Sequence, residues 1–118
     1  MPFDDDLLHL LSENLPIGEV IYTLGSQYPN WIVRIAPEGI YVETDRSKSR
    51  GADPELVPAE MVTKAWHHLT VQHVLTNKEL VASDGLNVKR SSFVCAALAH
   101  LPGVVVSSTR PITITYRP

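Results

Sequence analysis

The chain contains a single cysteine, Cys95, among its 118 residues. One cysteine excludes an intramolecular disulfide, so the fold has to depend on a hydrophobic core. Cys95 lies within the apolar run "FVCAALA", and we expect a buried, unreactive thiol there. A chain of this length can build one such core without a metal or a disulfide, which predicts a single compact domain over residues 1–118.

The sequence also lacks a long hydrophobic run, since no apolar stretch approaches the roughly 20 residues that cross a bilayer. The start of the chain, "MPFDDDLLHLLSENL", has neither the basic region nor the apolar core of a secretory signal. We therefore expect no membrane association, and a cytoplasmic protein of bacterial type.

Motifs that carry catalysis are missing as well. There is no "GxSxG" nucleophile turn, and the 6 glycines never form the phosphate loops "GxxxxGK" or "GxGxxG". His67 and His68 would point about 100° apart on a helix, and no cysteine or carboxylate near His73 completes a four-ligand metal set. The sequence predicts a protein that is not an enzyme and holds no cofactor or metal.

The carboxylates have structural explanations. Asp4, Asp5 and Asp6 suit the cap and first turn of a helix, and Asp53 with Glu55 suits the acidic start of a later one. We expect none of them to act as a catalytic pair.

Charge is small in total but unevenly distributed. The formal net charge is -3, yet residues 1–60 hold four Lys or Arg against eleven Asp or Glu, and residues 61–118 hold six against two. The halves therefore carry -7 and +4. This balance argues against a protein that coats nucleic acid indiscriminately, but it permits a local basic surface on the second half.

Residues 1–52 predict a helix followed by a β-meander. The aspartates would cap a helix whose leucines recur at helical spacing, and Pro16 with Gly18 would end it. The runs "EVIYTL", "WIVRIAP" and "GIYVET" then predict a three-stranded antiparallel meander. The polar segment 45–58 that follows is interpreted as a connector.

Residues 53–118 predict three helices and a closing β-hairpin. "PAEMVTKAWHHL" has one apolar stripe, "TVQHVL" fits a short strand, and "TNKE" matches a capping box before a short second helix near residues 77–82. "RSSFVCAALAHLPG" predicts the third helix, and "VVVSS" with "ITITY" the hairpin. The fold class is therefore α+β.

The second half resembles a known type of domain. The pattern "VP..MV..AW..L......T..EL", followed by "RSSFV.AALA.LPGV", is similar to small bacterial winged helix-turn-helix domains of the kind appended to restriction-type nucleases and helicases. The resemblance covers roughly residues 56–116 and implies DNA handling. One departure is evident: the third helix has almost no polar face with which to read base edges.

Two cations stand at the start of that third helix, where the helix dipole disfavours positive charge. We expect that Lys89 and Arg90, with the hydroxyls of Ser91 and Ser92 and the free N–H groups beside them, form an anion site for a phosphate. In a winged-helix arrangement, Arg110 would lie at the tip of the hairpin. The connector adds Arg46, Lys48 and Arg50.

Together these residues predict a non-enzymatic module that binds the phosphate backbone of nucleic acid, DNA as the first candidate, with little sequence information in the contacts. The alternative is a protein–protein interaction or adaptor domain without a nucleic-acid role, whose leucine-rich first helix would bind a partner or a second copy. A fragment of a larger nuclease or helicase is a third possibility.

The aromatic residues are mostly predicted to pack. Trp66 and Phe93 lie on apolar stripes and are expected in the core. Tyr22 and Tyr41 could form a cross-strand pair or a platform for stacking bases, of which packing is favoured. Trp31 stays unassigned.

Overall fold

The first helix, α1 (Asp5–Asn14), begins at Asp4, whose carboxylate accepts a hydrogen bond from the backbone N–H of Leu7 at 2.7 Å. This computed structural model describes residues 2–51, 53–81 and 90–117, although not the side chain of Arg46. Leu7 and Leu11 are buried on α1, and Leu15 is buried just after it. The predicted N-terminal helix is confirmed, and its leucines face the core of their own chain.

The first sheet is an antiparallel meander of four strands, in the order β1-β2-β3-β4. Its strands are β1 (Val20–Tyr22), β2 (Pro29–Ala36), β3 (Gly39–Thr44) and β4 (Glu55–Pro58). The prediction of three strands was therefore incomplete. β4 has only 4 residues, of which one is buried, so it lacks the alternating pattern that identifies longer strands in a sequence.

The segment predicted as a connector, residues 45–58, is mostly regular structure. It contains helix α2 (Asp45–Arg50) and, after a short loop, β4. Thr44 and Ser47 form a reciprocal capping box at the start of α2, and Gly51 ends the helix in the left-handed conformation. The interpretation as a polar connector missed α2 and β4, because a helix fixed mainly by its caps needs no apolar stripe.

The second half has the predicted order of elements among the described residues. Its helices are α3 (Ala59–Gln72), α4 (Asn77–Val81) and α5 (Ser91–Leu98), and its strands are β5 (Val74–Thr76), β6 (Val104–Thr109) and β7 (Ile112–Tyr116). β5 lies beside the hairpin, so that the second sheet has the order β5-β7-β6. The predicted strand over 70–75 begins later, because α3 continues to Gln72.

The capping box predicted from "TNKE" is present at the start of α4. The hydroxyl oxygen of Thr76 accepts from the backbone N–H of Glu79 at 3.2 Å, and the Glu79 carboxylate accepts from the backbone N–H of Thr76 at 3.1 Å. The reciprocal pair fixes the point at which the chain turns from β5 into α4.

One hydrophobic core joins the two halves. It is built from the inner face of the first sheet, the apolar stripes of α1 and α3, and nearly all of α5. Burial raises the pKa of the Cys95 thiol to about 12, because the charged thiolate would lose its hydration. Cys95 is therefore a neutral packing residue at physiological pH, as the sequence predicts.

The aromatic residues are distributed differently from the prediction in two places. Trp66 is half-buried and meets the ring of Tyr116 edge to face, with centroids 5.5 Å apart. Tyr22 and Tyr41 belong to β1 and β3, which β2 separates, so the cross-strand pair between them is wrong. Phe93 is buried as expected.

Candidate nucleic-acid interface

Helix α5 starts without a side-chain cap. Arg90 occupies the N-cap position in the left-handed conformation, with φ of 62°, and the first hydrogen bond of the helix runs from the N–H of Val94 to the carbonyl of Arg90 at 3.0 Å. The N–H groups of Ser91, Ser92 and Phe93 consequently have no intrahelical acceptor. The positive end of the helix dipole therefore faces the space in front of the first turn of α5.

The side chain of Arg90 binds two residues of the first sheet. Its guanidinium forms an ion pair with Glu55 on β4 and donates a hydrogen bond to the side-chain oxygen of Asn30 on β2 at 3.1 Å. Partial burial lowers the pKa of Arg90 from its ordinary value. Arg90 therefore ties the start of α5 to two strands of the first sheet, a role that its sequence position did not reveal.

An open cleft of about 510 Å³ lies in front of this helix start. One wall is the first turn of α5, and the other walls are the loop over residues 23–28, Asn30 and the start of α2 at Thr44 and Asp45. The structure thus brings the predicted third helix and the predicted connector to one place. A space of this size accepts a phosphate group together with part of the molecule that carries it.

Two polar side chains are nearly enclosed at this cleft. Asn30 is 3% exposed, and it is held by Arg90 and by a hydrogen bond of 3.4 Å from its amide to the carbonyl of Tyr28. Ser91 is 7% exposed and lines the same cleft. Ser92 is half-buried at the same wall.

The cations that the sequence analysis assigned to the connector, residues 45–58, lie in α2. Lys48 and Arg50 are exposed in its last turn, and the ammonium of Lys48 lies 3.7 Å from the centre of the Trp31 ring on β2. This contact assigns Trp31, which the sequence left open, to a cation–π pair. Arg46 belongs to the same helix, and its side chain falls outside the described part of the chain.

The β6–β7 hairpin lies against the same loop. A side chain at Gly25 would meet the carbonyl oxygen of Thr109 at 3.1 Å, so the loop over 23–28 touches the hairpin tip directly. Arg110 is exposed in that tip. The loop therefore contributes Thr23 and Tyr28 to the cleft and places Gly25 against Thr109, the residue before Arg110.

Lys89 lies outside the described residues, which resume at Arg90. Of the other predicted residues, Arg90, Ser91 and Ser92 line the cleft, whereas Lys48, Arg50 and Arg110 do not. The start of α2 does line it, and Thr109, next to Arg110, lies against Gly25 of the 23–28 loop. Sequence reasoning missed Asn30, Tyr28 and Asp45. Asn30, next to the apolar run "WIV", was the one available signal, because an amide that becomes enclosed in a sheet needs partners.

Helix α5 itself cannot lie in a DNA groove. Seven of its eight residues are buried, all but Ser92. Base reading by this helix is excluded while the domain stays folded, which agrees with the absence of a polar face in its sequence. Only its first turn is open to a ligand.

The histidines have ordinary partners. His68 pairs with the Glu79 carboxylate at 3.0 Å, and Nδ1 of His73 lies 3.1 Å from the carbonyl of Tyr116. Among the described residues, no group of three or more His, Cys, Asp or Glu side chains could hold a metal ion. None of the helices in these same ranges is long and apolar enough to cross a membrane.

Comparison with known proteins does not add to this description. No protein-family model, curated protein or solved structure matches the chain.

Proposed function

We propose that this protein is a non-enzymatic nucleic-acid-binding module, with DNA as the first candidate, that contacts the phosphate backbone. The observation that carries the proposal is the convergence around residues 23–28. The uncapped start of α5 and the start of α2 line one cleft with Thr23 and Tyr28 of this loop, and Thr109, next to Arg110, lies against Gly25 of the same loop.

The charges suit such a role. Lys48, Arg50 and Arg110 are exposed, and none of them forms an ion pair with an acidic side chain in the described ranges. Cations that are not neutralised by the protein can release counterions from DNA, and this release drives binding at low salt. Arg90 is excluded from this set because Glu55 neutralises it.

The arrangement of the second half supports the resemblance to winged-helix domains. The helices α3, α4 and α5 precede the β6–β7 hairpin, and β5 completes its sheet. The proposed mode of binding departs from that of a recognition helix, since α5 is buried. We therefore expect contacts to phosphates by helix ends and a turn, and little discrimination among base sequences.

Fluorescence anisotropy with a labelled mixed-sequence DNA duplex, measured at several salt concentrations, tests the proposal. We expect the logarithm of the binding constant to fall linearly with the logarithm of salt concentration. Arg50→Ala and Arg110→Ala should each reduce the steepness of that line by about one unit, as loss of one phosphate contact does. Single-stranded DNA and an RNA duplex of equal length serve as competitors that rank the nucleic acids.

Lys64→Ala is the matched control. Lys64 is exposed on α3, where it pairs with Glu60 at 3.2 Å, and it does not line the cleft. Its removal changes the net charge by the same amount and should leave the steepness unaltered. The proposal fails if no nucleic acid binds at low salt, or if all three variants behave alike.

A second candidate is the protein-interaction domain, and one observation favours it. β6 is the edge strand of the second sheet, and Val105 and Val106 on it are 50% and 38% exposed. An edge strand with apolar side chains and no charge can pair with a strand of another protein. Of the four leucines on α1, Leu7 and Leu11 are buried in the core of their own chain and are not free to bind a partner, whereas Leu8 and Leu10 are partly exposed.

A further inference from the structure

The outer face of the first sheet carries aromatic rings. Alternation along β2 sends Ile32 to the core and Trp31 to the opposite side of the sheet, where Trp31 is half-buried. On that same side Tyr41 is half-buried, Tyr22 is 52% exposed and Leu56 is 40% exposed. We call the surface formed by Tyr22, Trp31 and Tyr41 the aromatic face.

The strand register places the three rings on one diagonal across β1, β2 and β3. Trp31 pairs with Val20 on β1 and with Glu43 on β3. Tyr22 and Tyr41 each lie two residues from those partners, on opposite sides of Trp31. Diagonal neighbours of this kind are about 7–8 Å apart, within reach of aromatic side chains. Aromatic rings set out along a sheet are a surface on which successive bases of a single strand can stack.

A cation lies over two of these rings. The Lys48 ammonium is 3.7 Å from the centre of the Trp31 ring, and the guanidinium carbon of Arg34 is 4.4 Å from the centre of the Tyr41 ring. Neither cation forms an ion pair with an acidic side chain in the described part of the chain. When a base takes its place over the ring, the cation can contact the adjoining phosphate, so each pair supplies both halves of a nucleotide contact.

The charges between the rings favour a nucleic acid over a protein as the occupant of this face. The centre of a protein interface is apolar and depleted of lysine and of acidic residues. Here Lys48 lies above Trp31, and Glu43 is the cross-strand partner of the same ring. Arg34 lies above Tyr41. The rings are thus interleaved with charges, which suits a ligand that has flat bases and anionic phosphates.

The aromatic face is continuous with the surface proposed above to bind phosphates. Lys48 belongs to α2, whose start lines the cleft, and its ammonium reaches back over Trp31. Tyr22 directly precedes Thr23, which also lines the cleft. A strand whose phosphates contact α2 therefore has its bases close to the aromatic face.

We propose that the aromatic face binds single-stranded nucleic acid, with bases stacked on Tyr22, Trp31 and Tyr41 and with phosphates contacted by Lys48 and Arg34. This inference rests on the function proposed above and names the single strand as the form of nucleic acid that the first sheet takes. The stacking is tolerant of base sequence, because every base has a flat π-face.

A comparison of oligothymidylate with an abasic strand of equal length tests the stacking, with fluorescence anisotropy of labelled strands as the readout. The two strands carry the same number of phosphates, so contact to the backbone alone gives equal affinities. We expect oligothymidylate to bind about tenfold or more tightly than the abasic strand, because only its bases can stack. Equal affinities would overturn the aromatic face.

Leucine variants remove the rings and keep apolar side chains. Trp31→Leu and Tyr22→Leu should each weaken oligothymidylate binding about fivefold or more. Neither should change the steepness of the salt dependence, since no phosphate contact is lost. Arg34→Gln should instead reduce that steepness by about 0.7, the value for one phosphate contact on a single strand. A purely structural role of the rings would not produce this division.

Trp66→Leu is the matched control. Trp66 is also half-buried, but its ring lies against Tyr116 of the second sheet. Its removal should leave oligothymidylate affinity unaltered, and it leaves Trp31 as the single tryptophan of the chain, whose fluorescence a stacked base should quench. Circular dichroism checks that each variant is folded, and the exposed position of Tyr22 gives a second test if Trp31→Leu unfolds. Absence of quenching, or equal weakening by Trp31→Leu and Trp66→Leu, would contradict the stacking.

The outcomes distinguish this inference from the proposed function. If duplex DNA binds with a salt dependence that Arg50→Ala and Arg110→Ala reduce, while oligothymidylate and the abasic strand bind equally, the aromatic face is overturned and the proposed function stands. If oligothymidylate binds tightly and the duplex does not, the aromatic face is supported and the single strand replaces the duplex as the ligand. If no nucleic acid binds, both proposals fail and a protein partner is left for this face.

Discussion

Replacing Gly39 with alanine should lower the free energy of unfolding by about 4 kcal/mol or more, a value reached only by severe steric or packing defects. Gly39 pairs with Ala36 of β2 on one side and with Pro58 of β4 on the other. A Cβ there would collide with the carbonyl oxygen of Val57 and approach the Leu56 side chain to 2.8 Å and the N–H of Ala59 to 3.1 Å. Two of these three atoms belong to the backbone, so rotamer changes cannot relieve the contact.

Urea denaturation monitored by circular dichroism measures this effect, and Gly18→Ala is its control. Gly18 has φ of +86°, yet nothing lies within 4 Å of an added Cβ. Its substitution should cost only the conformational strain of a left-handed residue, about 1–2 kcal/mol. Equal losses for the two variants would show that β4 does not lie against Gly39 as described.

Replacing Phe93 with alanine should cost about 3–5 kcal/mol, the usual range for removing a buried aromatic ring. Phe93 is 1% exposed and belongs to the core cluster that joins both halves of the chain. It also lines the cleft in front of α5.

Phe93→Leu is the matched comparison for this position, because it retains an apolar side chain and should cost much less, under about 1.5 kcal/mol once the core adjusts. Chemical denaturation gives both values. A loss below about 1 kcal/mol for Phe93→Ala would contradict the packing described here, since the ring would then not be part of the core.

Much of the fold follows from local sequence patterns. The N-terminal helix, the capping box at Thr76, the helix α3 and the closing hairpin were predicted because each depends on neighbours in the chain, through periodicity or caps. Strand β4 and helix α2 were not predicted. β4 is defined by its pairing with β3, which is a contact of tertiary structure, and α2 is defined by caps within a polar segment.

The candidate site could be predicted only in part. Sequence patterns indicate a helix start with free N–H groups beside Arg90 and basic residues in the segment after β3. They do not indicate that Arg90 turns to Glu55, 35 positions away in the chain, or that it also bonds to Asn30. Such pairings depend on how the sheet packs against the helix start. That packing is tertiary structure, which local sequence patterns do not predict.

The resemblance to winged-helix domains implies DNA handling, yet the burial of α5 requires a different mode of contact from a helix laid in a groove. In the proposed mode, helix ends and a turn make the contact instead. This difference gives the two modes distinct footprints on the protein surface.

The most direct measurement is therefore a ¹H–¹⁵N chemical-shift map of the full chain during titration with a DNA duplex at low salt. The account predicts that the largest shifts cluster at residues 45–50, 91–93 and 109–111, around the loop over 23–28. Shifts centred on α1 or on the exposed side of α3, or no shifts at all, would contradict it.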